Sequence, residues 1–393
     1  MEYYPIIQSL CRVALATGEP AVRQQVERLK DAAQKSGDES VARSLTQLLT
    51  RASKASEMAP SKITQSFSGL IKGEDLTRNT PLPVDKETSA PLADIIYPED
   101  LPTVMPLFND ALKNAALTIL NEWRNTEALS LLGVTPSRTC LVYGPPGTGK
   151  TTLALWLARE LGVPVVLARL DGLISSFLGT TARNVGNLFS FANRYRCMLI
   201  LDEFDAVAKI RDDPHEVGEI KRVVNALLQN VDMRRGIGLT IAVTNHESLL
   251  DPAIWRRFEI KLNIPKPDIQ GRLGLVKRYL PPVELNEPAE KFIAWLTEGF
   301  SGSEIETFVL GLKKYIALNQ GGGALNLLAA LKHLVMLSGD KIEANREAIL
   351  SMETQALANY LLTQSSLGFN QAHLALLFNK DKATVNRWVR DSK

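Results

Sequence analysis

The sequence is poor in the residues that build metal and redox centres. Three cysteines (Cys11, Cys140 and Cys197) and four histidines are spread over 393 residues, with no metal-ligand spacing among them. Cys140 and Cys197 lie inside apolar runs and read as buried thiols of a reduced compartment. There is no H-E-x-x-H zinc-protease signature and no Ser/His/Asp set, so any proteolysis belongs to another chain. No apolar stretch approaches the ~20 residues that span a bilayer. The first residues, "MEYYPIIQSLCR", carry an acid at position 2 and lack the apolar core of a secretory signal. The expectation is a cytoplasmic protein with no membrane contact. Net charge is only +2, so a polyanionic partner would have to be recognised locally. No internal repeat marks a solenoid.

Residues 1–56 read as a small helical domain. Val22, Val26, Leu29 and Ala33 recur at helical spacing, as do Val41, Leu45, Leu48 and Leu49. Residues 57–91, rich in Ser, Thr, Pro and Lys and without a period, read as a linker. From residue 92 the pattern changes. The short runs "TCLVY", "VPVVLA", "CMLIL" and "LTIAVT" are almost continuously apolar, as buried parallel strands require, and helical stretches separate them. This alternation predicts an α/β domain over 92–265. After Pro265 and Pro267 only helical patterns remain: an all-helical domain over 266–350, then a helical extension over 351–393.

Three motifs carry chemistry. "GPPGTGKT" spans Gly144, Pro145, Pro146, Gly147, Thr148, Gly149, Lys150 and Thr151, after a predicted strand and before a helix that continues with Thr152. The spacing is that of a phosphate loop. Glycines let backbone N–H groups curl around phosphates, the lysine faces the β- and γ-phosphates, and the threonine hydroxyl is a Mg²⁺ ligand. "CMLILDEFD" ends a strand in Asp202, suited to Mg²⁺, and Glu203, suited to polarising water. "LTIAVTN" brings Asn245 to the same sheet edge, where it can orient that water. "LLDPAIWRRFE" supplies Arg256 and Arg257 after a short helix, read as arginine fingers.

With these motifs in hand, residues 92–350 resemble an AAA+ ATPase module, specifically the AAA subfamily of protein-remodelling motors, in a bacterial single-module form. The resemblance implies a P-loop fold with a five-stranded parallel sheet in the order 5-1-4-3-2, a helical lid, and ATP with Mg²⁺. It also implies a ring, usually a homohexamer, in which the fingers act on the neighbouring subunit. "GFSGSEIETF" looks like the lid segment that brings Gly302 near the nucleotide. The subfamily lacks the lid arginine of other AAA+ proteins, and none is expected here. The two arginines are adjacent rather than split by Pro-Gly, the shortened form found in katanin and spastin; Arg256 is the expected phosphate contact and Arg257 its support. Phe177 and Leu178, before Gly179, match the aromatic–aliphatic–glycine loop that lines the pore and grips a protein substrate. "DDPHE" (212–216) resembles a second pore loop. Compact ATPases of this kind resemble members of two-gene systems, so a separate protease or other effector is an expected partner.

The C-terminal stretch 370–390 offers an alternative function. Ala375, Asn379, Val385 and Trp388 hold the small, turn and apolar positions of a helix-turn-helix, and Lys382, Arg387 and Arg390 fall on its second helix. The segment resembles a bacterial DNA-binding helix-turn-helix, which would make the chain a DNA-associated ATP switch. The other reading of the same residues is a helical hairpin that packs on the lid.

Overall fold

The computed structural model describes residues 20–36, 38, 41–47, 73–85, 87–170, 178–206, 217–234, 238–319, 326–338, 342, 344–363 and 368–390. The chain divides into two units, Met1–Ser66 and Phe67–Lys393. In the first, helix α1 (Pro20–Lys35) buries Val26 and Ala33, and a second helix over 41–47 buries Val41, Ala42 and Leu45. Leu29, expected on the apolar face, is exposed. Leu48 and Leu49 lie outside the described residues.

The second unit is built on a six-stranded sheet in the order β1-β3-β4-β5-β2-β6. Its strands are β1 (Asp94–Ile96), β2 (Thr139–Tyr143), β3 (Val165–Arg169), β4 (Met198–Asp202), β5 (Thr240–Thr244) and β6 (Ile260–Asn263). Strands β2 to β6 pair in parallel, so the expected 5-1-4-3-2 order is present. A sixth strand departs from the expected all-parallel sheet: β1 runs antiparallel along β3, Ile95 facing Val166.

Side chains alternate across the sheet with period two, and each face meets its own helices. Leu141, Val166, Leu199, Leu201 and Ala242 point to one side. There they pack on α4 (Leu178–Arg194) and α5 (Val217–Arg234) through Leu188, Phe189, Leu227 and Val231. Cys140, Val142, Val165, Ile200 and Ile241 point to the other. Their partners are α2 (Asp110–Arg124) and α3 (Lys150–Leu161), through Ile119, Leu120, Leu153 and Leu157. A sheet covered on both faces explains the continuous apolar runs.

Residues 73–85 and 87–91, read above as linker, are fixed to this unit. Glu74 N–H donates to Arg194 O at 2.9 Å, and Arg196 N–H donates to Glu74 O at 2.8 Å. Leu76 is buried. Asp85 accepts from Asn184 Nδ2 at 2.6 Å. The Glu87 N–H first, then Asn184 and the Thr88 N–H, hold its carboxyl below the usual carboxylate range.

The lid starts at α6 (Ile269–Tyr279), capped by Asp268, and continues through α7 (Glu287–Leu296) and α8 (Gly302–Leu318). It goes on through α9 (Leu327–Ser338), α10 (Ala344–Ser351), α11 (Thr354–Thr363), α12 (Gln371–Phe378) and α13 (Lys382–Arg390). One apolar core runs from Leu275 to Val385. The extension over 351–390 is thus continuous with the lid rather than a separate body.

Candidate functional site

Strand β2, its loop and the following helix α3 set the site's geometry. Gly144 has φ 137°, and a Cβ there would stand 2.2 Å from Ile264 O, where the chain leaving β6 crosses. Gly147 has φ 73°, and a Cβ there would stand 2.1 Å from Ser303 Oγ of the lid. Only glycine fits either position without displacing backbone or lid. Thr148 Oγ1 closes the turn on Pro145 O at 2.9 Å.

Lys150 is buried, and its Nζ donates to Gly144 O at 2.8 Å and to Pro145 O at 2.6 Å. Burial pushes its pKa below the ordinary lysine value, opposed by the charges of Asp202, Glu247 and Asp205. A desolvated ammonium at the start of a helix fits a bound polyphosphate, which would return the lost solvation. Thr151 Oγ1 donates to Asp202 Oδ2 at 2.9 Å. A hydroxyl and a carboxylate this close are the hard oxygen donors that suit Mg²⁺.

Asp202 ends β4, and its Oδ1 accepts from Glu203 N–H at 2.9 Å. Glu203 sits at φ 54°, a left-handed conformation unusual for a non-glycine residue and frequent at functional sites. Asn245 follows β5. Its N–H lies 3.4 Å from Asp205 Oδ1, which also accepts from Thr244 Oγ1 at 3.2 Å. Asp205 is buried and ties the ends of β4 and β5 together. The sequence reading missed it, although the third acid of "DEFD" was its signal.

These groups line one cleft of about 510 Å³. Its walls include Pro146, the residues from Gly147 to Thr152, Asp202, Glu203, Asn245 and Gly302. Pro106, Leu107 and Phe108 add an apolar end suited to a base. The lid closes on the loop directly: Ser303 N–H donates to Gly147 O at 3.0 Å. Arg278 of α6 also lines the cleft, its Nη2 donating to Met105 O at 2.9 Å.

Arg256 and Arg257 are not among the residues lining this cleft. The short helix Pro252–Trp255, capped by the Asp251 side chain, ends in Trp255, whose ring meets Tyr143 edge-on at 5.0 Å. Both arginines are exposed. Arg257 pairs with Asp232 of α5, and its carbonyl accepts from Thr139 Oγ1 at 3.1 Å. Among the described residues, none pairs with the Arg256 guanidinium. Phe177 and residues 212–216 lie outside the described residues, and Leu178 is described only as the first residue of α4.

A phosphate loop between strand and helix, and a second parallel strand of the same sheet ending in paired acids, define a P-loop nucleoside triphosphatase. Residues 140–266 match the family described as "ATPase family associated with various cellular activities (AAA)". An uncharacterized AAA family ATPase, y4kL, of Sinorhizobium fredii is 36% identical over 291 residues, covering 72% of this chain and 81% of that protein. The chain belongs to the AAA family of ATPases, which hydrolyse ATP. The proteasome-activating nucleotidase of Methanococcus vannielii is 32% identical over 238 residues, 59% of this chain and 58% of that one. The ATP-dependent zinc metalloprotease FtsH of Aquifex aeolicus is 30% identical over 298 residues, 72% and 44% respectively. The chain thus spans about half the length of the latter two relatives. Among the described residues no helix is long and apolar enough to cross a membrane.

Proposed function

We propose that the chain is a ring-forming, ATP-driven motor that unfolds, threads or disassembles protein substrates. Lys150 and the loop N–H groups bind the phosphates of ATP. Thr151 and Asp202 hold Mg²⁺, which when bound neutralises phosphate charge. Glu203 accepts a proton from the attacking water, and Asn245 orients that water. Gly302 and Ser303 bring the lid against the loop. Arg256 serves the ATP of the adjacent subunit, steadied by Arg257.

One observation carries this reading: Arg256, exposed and unpaired among the described residues, stands outside the cleft of its own chain. A catalytic set divided in this way is completed by a second copy, and members of the family typically form oligomeric rings acting on protein substrates. Phe177 and Leu178 line the pore of such a ring and grip an extended chain through bulk and an apolar ring face. The names of two relatives join an ATPase to proteolysis. This sequence carries no H-E-x-x-H, and the protease partner in this reading is a separate chain.

The test is ATP turnover with and without a permanently unfolded protein, together with sizing of the ATP-bound form. Stimulation by unfolded protein in an assembly larger than a dimer supports the motor. A monomer whose turnover ignores unfolded protein overturns it.

A further inference from the structure

The last three helices, α11 to α13, pack on one another inside the lid core. Leu357, Leu361, Leu374 and Val385 are fully buried, and the Trp388 ring lies edge-on to Phe378 at 6.2 Å. Asn379 ends α12 in the left-handed conformation, φ 50° and ψ 52°, and Lys380 N–H donates to Ala375 O at 2.9 Å. The chain then turns through Asp381 into α13. One face of α13 is therefore used up by the core.

The other face is exposed among the described residues. Lys382, Ala383, Arg387 and Arg390 are all exposed. At helical spacing Lys382 and Arg390 fall in one row, with Ala383 and Arg387 in the row beside it. No carboxylate occurs within α13. Residues 370–390 carry four cations against Asp381 alone, a net charge of +3, while the whole chain carries +2. Three of those cations, Lys382, Arg387 and Arg390, are exposed on α13.

We propose that α13 is a docking helix for duplex DNA, with its outward face in the major groove. An α-helix fits a groove about 12 Å wide, and the paired donors of an arginine match the guanine edge there. Ala383 permits close approach, while the long cations reach the flanking phosphates. Duplex RNA is disfavoured because its major groove is too narrow for a helix. A lipid surface would need the apolar face of α13, which is committed to the lid core. The inference stands apart from the motor reading, since it uses no residue of the ATP cleft.

The test uses the full chain and a fluorescent duplex of about 30 base pairs, with affinity followed by anisotropy from about 50 to 200 mM salt. The triple variant Lys382→Glu, Arg387→Glu, Arg390→Glu changes only exposed side chains. ATP turnover and melting temperature should match the parent. Duplex affinity should fall about a hundredfold or more, and the plot of log affinity against log salt should become shallower by about 3. Absence of duplex binding by the parent at low salt overturns the proposal. So does binding that the triple variant retains, or tighter binding to duplex RNA or anionic vesicles than to DNA.

Discussion

Thr151 and Asp202, 51 positions apart in sequence, meet in a 2.9 Å hydrogen bond between hydroxyl and carboxylate. The first helix after the phosphate loop is thereby joined to the end of β4. Thr151→Val removes the hydroxyl and keeps the shape. We expect this variant to bind ATP without metal as the parent does and to need roughly tenfold or more additional Mg²⁺ for turnover. A Mg²⁺ titration of ATPase activity checks this; an unchanged requirement would remove Thr151 from the metal site.

Lys150→Ala and Glu203→Gln should separate binding from chemistry. The first removes the buried cation, and nucleotide binding should vanish in a fluorescent-ATP titration. The second leaves the phosphate loop intact, so ATP should stay bound and hydrolysis should stop, trapping rings. Parental turnover in the Glu203→Gln protein would exclude it as the base.

Arg256→Ala should leave ATP binding intact and cut turnover, by a factor approaching the roughly 10³ to 10⁵ that such arginines contribute in GTPases. Mixing it with Lys150→Ala protein should restore part of the activity, since some interfaces then join an intact finger to an intact loop. No recovery in mixed rings would rule out action between subunits. Arg257→Ala breaks an exposed pair with Asp232, and its effect on stability should stay within about 1 kcal/mol by thermal melting.

Phe177→Ala tests the grip. Basal ATP turnover and assembly should survive while substrate unfolding is lost, and Phe177→Tyr should keep much of the work. A core phenylalanine would instead cost about 3–5 kcal/mol on truncation and lower the melting temperature visibly. Melting, turnover and unfolding measured on one preparation tell these apart.

Much of the site was legible because its chemistry is local. The loop from Gly144 to Thr151, the acids after β4 and Asn245 after β5 each sit at the end of an apolar run that announces a strand. What escaped was long-range or short. Strand β1 has three residues, too few to show alternation. The order of residues 73–85 and 87–91 comes from backbone bonds to Arg194 and Arg196 and from the Asp85–Asn184 bond, none of which leaves a period. Arg278 lay on a helix with nothing in the sequence to bring it to Met105. The extension joins the lid because its apolar residues find the same core, which periodicity alone does not disclose.

Cys140 offers a check on the fold itself. Full burial pushes its thiol up to about 12, and burial raises that of Cys197 as well. At pH 8 only about one Cys140 in ten thousand would be the reactive thiolate, even if it were reached. In a Cys11→Ser background the native protein should resist a thiol-specific chromogenic reagent and release two equivalents on denaturation. Rapid native labelling would contradict the buried sheet.

The continuous lid core joins two distant chemistries. Ser303 rests on the phosphate loop through Gly147, and the same body of packed side chains continues to Val385 beneath the outward face of α13. A ligand on either end therefore acts on one shared element. Thermodynamic linkage then makes the effect reciprocal: whatever factor ATP imposes on the affinity of that face, an occupant of the face imposes on the affinity for ATP. Two binding curves, each measured with and without the other ligand, must close on the same ratio.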